Sequence, residues 1–84
     1  MTKFSRKNVN EMLENCEIII ASDVRTRDGI GVEIWKDGKL LLEVFRDDGI
    51  KKRTISLFED NLTLSLIEET IAYFKKEIPQ EFLD

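Results

Sequence analysis

Hydrophobic and polar residues recur with two different periods along this chain, and the change of period divides it into elements. Near the N-terminus Val9, Met12, Leu13 and Cys16 follow i, i+3, i+4, i+7 spacing, which predicts a short helix over about residues 5–15. Ser5 and the pair Asn8/Glu11 are its two candidate caps. Residues 17–22, Glu-Ile-Ile-Ile-Ala-Ser, are short and β-branched and predict a strand. A polar loop runs from Asp23 to Gly29. Three alternating segments follow it. Ile30, Val32 and Ile34 alternate with Gly31 and Glu33. Leu40, Leu42 and Val44 alternate with Leu41, Glu43 and Phe45, and Arg53, Ile55 and Leu57 with Thr54, Ser56 and Phe58. The period then lengthens. Leu64, Ile67, Ile71, Phe74 and Ile78 form one helical stripe centred on Ile71, with Thr63 as N-cap and Pro79 as the stop.

Two Asp-Gly pairs, Asp37-Gly38 and Asp48-Gly49, join the alternating strands into hairpins. Matching apolar faces predicts a first hairpin with Ile34 opposite Leu40, Val32 opposite Leu42 and a three-residue loop, Lys36 to Gly38. In the second, Leu42 opposite Ile55 and Leu40 opposite Leu57 predict a two-residue loop, Asp48-Gly49, with Arg53 opposite Val44. Both glycines are then expected at positive φ. The fold expected is α+β, in the order α-β-β-β-β-α. It is a two-layer sandwich, with a four-stranded antiparallel meander carrying an N-terminal and a C-terminal helix on one face. One domain is expected to span residues 1–84, with the tail from Gln80 fraying unless Phe82 or Leu83 docks.

Candidate chemistry is sparse. The chain has no histidine, so the commonest acid/base group and transition-metal ligand are missing. Its single cysteine, Cys16, lies among apolar positions and reads as a packed thiol. Gly29-Ile30-Gly31 leads into a strand and not into the helix a phosphate cradle needs. The acidic pairs Asp47-Asp48, Glu59-Asp60 and Glu68-Glu69 fit turns and helix ends better than a ligand set. The expectation is therefore no catalytic residue, metal, cofactor or small-molecule substrate. The longest apolar run, Ile18 to Ala21, is far too short to span a membrane. No signal-peptide pattern follows Met1, and a single thiol suits a reducing compartment, so the expected location is cytoplasmic.

Composition and charge sharpen the functional reading. Hydrophobic residues make up 42% and charged residues 36% of 84, a balance that folds. The net charge of −4 opposes nucleic-acid binding except where basic residues cluster. Arg25 and Arg27, with Lys51, Lys52 and Arg53, are the candidate nucleic-acid residues. The order of elements is similar in part to that of double-stranded-RNA-binding domains. The likeness stops there, because Asn61-Leu62-Thr63-Leu64-Ser65 stands where those domains start their last helix with lysines. No family is implied.

One feature goes beyond a plain domain. If the aliphatic positions face the helices, the outer sheet face carries Ile19, Trp35, Leu41, Phe45 and Phe58, among Glu33, Glu43 and Lys52. Large apolar groups ringed by charge on an open face predict an interface, with Trp35 and Phe45 as anchors. The expected function is a non-enzymatic protein-interaction domain that binds a protein partner or a second copy as a homodimer. The alternative is an acidic immunity protein or antitoxin that neutralises a basic toxin.

Overall fold

The computed structural model describes residues 2–7 and 15–83. Five strands form one antiparallel sheet: β1 (Thr2–Lys7), β2 (Glu17–Asp23), β3 (Gly29–Lys36), β4 (Lys39–Asp47) and β5 (Lys52–Leu57). They lie in the order β1-β2-β3-β4-β5, so β1 and β5 are the edges. One helix, α1 (Leu64–Glu77), follows and lies over β3 and β4. The fold is α+β, and β2 to β5 are the expected meander.

The N-terminal helix is corrected where it can be compared. Residues 5–7 belong to β1, whose Ser5 pairs with Ile19. The rest of that expected helix, residues 8–14, lies outside the described residues. The segment Thr2–Lys7 has no strong alternation of its own. A terminal strand is specified mainly by the backbone groups its neighbour offers, which a one-segment pattern does not reveal.

Both hairpin registers differ from expectation by two residues; Val32, Ile34, Leu42, Val44, Ile55 and Leu57 keep their expected face, while Leu40 and Leu41 exchange theirs. In the first, Ile34 pairs with Leu42 and Val32 with Val44. The turn is the two residues Asp37 and Gly38, at φ 51 and 79, the left-handed pair of a type I′ turn. Such a turn alone would mix the faces. A bulge restores them: Trp35 pairs with Leu40, Leu41 is the extra residue, and Ile34 then meets Leu42. In the second hairpin Leu42 pairs with Leu57, Val44 with Ile55 and Arg46 with Arg53. Its loop is residues 48–51, closed by Asp47, whose Oδ1 accepts from the amides of Gly49 and Ile50. Lys51, at φ 56, takes the left-handed position expected of Gly49.

The core lies between sheet and helix. Ile18, Val32, Ile34 and Leu42 are fully buried against Tyr73, Phe74 and Ile78. Each such side chain contributes about 1.5–3 kcal/mol by leaving water. Thr63 caps α1, its hydroxyl accepting from the Leu66 amide at 3.1 Å. The helix is rotated relative to the expected stripe. Thr70 is its most deeply buried residue, with its hydroxyl donating to Leu66 O at 2.8 Å. Ile67 and Ile71 are half-buried, and Leu64 is exposed. Thr70 takes the buried position, and the bulkier stripe turns to the flank.

The tail is docked. Arg46 Nη1 donates to Pro79 O at 2.6 Å, and Arg53 Nη2 to Gln80 O at 2.6 Å. Asp48 accepts from the Leu83 amide at 3.1 Å, and the Arg53 guanidinium lies 4.6 Å from the Phe82 ring centre.

Candidate functional site

The outer sheet face is built around Phe45. Its ring lies on β3 at Gly31, where an added Cβ would stand 2.7 Å from Phe45 Cδ1. Only glycine leaves room for the ring there. The loop between β2 and β3 then folds over it. Asp23 organises that loop by accepting from the amides of Arg25 and Thr26 and from the Thr26 hydroxyl. These hydrogen bonds, that of the Arg25 amide first, hold the Asp23 carboxyl below its ordinary range. Arg27 is thereby aimed back across the sheet. Its guanidinium sits 3.8 Å above the Phe45 ring centre and donates two hydrogen bonds, 2.7 and 2.9 Å, to Glu43. The bond to Glu43 raises the Arg27 pKa further above its ordinary value.

Phe45 is therefore only 1% exposed, and the expectation of an open anchor there is corrected. Glu33 and Glu43, expected as a charged rim, are both buried and directly opposite each other across β3 and β4. Glu43 is engaged by Arg27, and Glu33 accepts from the Trp35 indole N–H at 2.9 Å. Trp35 and Ile19 are half-buried. Leu41 does not join this face, because the bulge turns it to pack against the core, and Leu40 takes the position opposite Trp35. Phe58 and Lys52 are exposed at the two ends of β5.

The two basic clusters do meet at one end of the sheet, where the Asp48 amide donates to Asp28 O. They do not form a basic surface. Arg27 is held by Glu43, Arg53 and Lys51 donate to the tail carbonyls of Gln80 and Leu83, and Asp23, Asp28, Asp47 and Asp48 lie among them. Arg25 and Lys52 are left as exposed cations. Among the described residues no cluster of His, Cys, Asp or Glu side chains is arranged to hold a metal, and no helix is long and apolar enough to cross a membrane.

The exposed apolar surface lies elsewhere, along β5. Because α1 covers β3 and β4, the next strand projects beyond it. Ile55 and Leu57 are on the helix side of the sheet, yet they are 44% and 54% exposed. Leu57 lines a depression with Phe58, Leu62 and Ile67, and Ile55 lines another with Ile71 and Phe74. Leu64, 70% exposed, stands one turn before Ile67 on the same flank. This flank is the stripe that the sequence pattern assigned to the core. The legible signal was the width of the apolar arc on α1, since Leu66, Tyr73 and Phe74 already suffice to face the sheet. Comparison with known protein families, characterised proteins and solved structures finds no match to this chain.

Proposed function

We propose that this chain is a non-enzymatic protein-interaction domain whose contact surface is the open β5 edge with the adjoining flank of α1. The observation that carries the reading is the row of exposed Ile55, Leu57 and Leu64 beside a strand edge that has no strand partner among the described residues. An edge strand presents free backbone donors and acceptors, and chains usually blunt it with proline, charge or a covering element. β5 has no proline and carries its charges only at Lys52 and Arg53; α1 lies over β3 and β4, and the docked tail meets β5 at Arg53. Backbone pairing would supply affinity and the apolar flank would supply specificity. The outer face, the first expectation for this role, is closed at its centre by the chain's own Arg27.

A photo-crosslinking amino acid placed at Leu64, and in a control at Arg25, tests the reading in cells. Both positions are exposed, so neither replacement disturbs the core. Protein adducts are expected from position 64 and not from position 25. Equal adducts from both, or none from position 64, would refute the surface.

A further inference from the structure

We infer that this surface takes an extended segment of another protein, laid antiparallel along β5, with two apolar residues and then an acidic one at every second position. The inference rests on the β5 edge being a contact surface, and it adds the chemistry of the occupant. The depression beside Ile55 carries it. Buried Val44 and Phe74 and the more exposed Ile55 and Ile71 line it, together with two cations, Arg53 and Lys75. Among the described residues no carboxylate lines it. Such a site suits an apolar group with an anion beside it. Its volume, about 190 Å³, lies below the roughly 300–1,000 Å³ of small-molecule sites. It is nearer the roughly 150 Å³ that holds a benzene ring. One large apolar side chain therefore fits, and the backbone that bears it lies along the β5 edge, where it finds hydrogen-bonding groups.

Strand geometry spaces the rest. Side chains of an added strand that face the helix recur at every second residue. Arg53, Ile55 and Leu57 are the helix-side positions of β5, paired with Arg46, Val44 and Leu42. In an antiparallel partner the residue opposite Leu57 comes first, that opposite Ile55 next and that opposite Arg53 last. The first meets the depression that Leu57 forms with Leu62 and Ile67, the second enters the one beside Ile55, and the third is the anion. The Arg53 guanidinium is already held in place, over the Phe82 ring and by one hydrogen bond to Gln80 O, which leaves others of its N–H groups for a carboxylate. Lys75 is exposed and has no ion-pair partner among the described residues. At the opposite end the sign changes. Asp60 and Glu59, the latter 3.6 Å from Lys39, line the depression at Leu57. A parallel partner of the same pattern would bring its acidic residue there, so the charges set the direction as well as the pattern.

Titration of the ¹⁵N-labelled protein with the acetylated and amidated peptide Thr-Val-Thr-Phe-Thr-Asp-Thr, followed by nuclear magnetic resonance, tests it. The amides of Ile55, Leu57 and Ile71 are expected to shift saturably, and the Trp35 indole N–H on the outer face to stay in place. Replacing the peptide's aspartate by lysine, or making Lys75→Glu, should each weaken binding about threefold. The two changes together should cost less than the product of the two, because the charges meet. Thermal melts by circular dichroism confirm that the exposed Lys75→Glu variant folds. The reversed peptide, Thr-Asp-Thr-Phe-Thr-Val-Thr, should bind more weakly than the original. No shift at millimolar peptide, or binding indifferent to both charge changes, overturns the occupant. A reversed peptide that binds as tightly overturns the antiparallel direction. Crosslinking from position 64 then separates the two readings. Adducts with another protein, without peptide binding, leave the contact surface and remove this occupant; adducts with a second copy of the chain replace it by self-association; no adducts and no peptide binding end both.

Discussion

Arg46 and Arg53 stand directly opposite each other across β4 and β5, and their guanidiniums donate to consecutive carbonyls of the tail, those of Pro79 and Gln80. Two like charges side by side would repel, but here each is spent on backbone oxygen, and Arg46 is neutralised by Asp48. That pair is bidentate, Nε to Oδ1 at 2.9 Å and Nη2 to Oδ2 at 3.1 Å, and both residues are buried. The tail after Pro79 is thus part of the fold.

Removing Arg46 should cost far more than removing Arg53. Arg46→Met strands the buried Asp48 carboxylate and is expected to destabilise by about 3–5 kcal/mol. Arg53 is exposed, so Arg53→Met should cost about 1 kcal/mol or less. Urea denaturation of the two variants measures the difference. Equal midpoints would mean that the buried pair does not anchor the tail.

The same pair makes tail docking sensitive to acid. Burial alone would raise the Asp48 pKa, but the Arg46 hydrogen bonds, the Leu83 amide and the charges of Arg46 and Lys51 outweigh it and hold the carboxyl below its ordinary range. A folded pKa below the unfolded one means that the unfolded chain takes up the proton first. The stabilisation is therefore complete above the ordinary aspartate range and is lost as pH falls toward the lower folded value. The Leu83 amide resonance should move to its random-coil position over that acidic interval. In Asp48→Asn this acid transition should be absent; its persistence there would assign it to another carboxylate.

The inner shell of the outer face should behave as core and the α1 flank as surface. Phe45→Ala removes a ring enclosed by Gly31 and Arg27 and is expected to cost about 3–5 kcal/mol. Ile71, at the centre of the sequence stripe but only half-buried, should cost about 1 kcal/mol when changed to alanine. Thermal melts of dilute samples rank the two. The reverse order would place the helix as the sequence pattern did, with Ile71 inward.

β1 was misread as part of a helix, but the existence of β2 to β5, the faces of their paired aliphatic residues, α1 and its cap were legible, because each follows from the period of apolar residues or from a short-range hydrogen bond such as Thr63 to Leu66. Register was not. Moving Val32 from Leu42 to Val44 leaves every side chain on the same face, so face matching fixes only odd against even, and the sequence has two aliphatic residues for either choice. Phe45 was misread for a related reason. Its alternation placed it correctly on the outer face, but its cover comes from Arg27, a loop residue brought over it by Asp23, and no periodicity records a loop's path. The β5 flank was hidden because one stripe of α1 serves the core only in part.

The two Asp-Gly pairs allow a direct test of the turns, since sequence treats them alike and the structure does not. Gly38 has φ 79 and no atom within 4 Å of an added Cβ, so Gly38→Ala meets only the backbone penalty of the left-handed region. That penalty is about 1–2 kcal/mol. Gly49 is absent from the left-handed positions, which in that loop fall to Lys51. An added Cβ there would come 3.3 Å from Asp47 Oδ1, a contact the side chain relieves by a small shift. Gly49→Ala should therefore cost about 0.5 kcal/mol, within the range of ordinary surface changes. Denaturation midpoints of the two alanine variants compare them under identical conditions. A larger loss at Gly49 would restore the two-residue loop Asp48-Gly49 and move every β4–β5 pair by two, carrying Arg53 away from Arg46 and toward Val44.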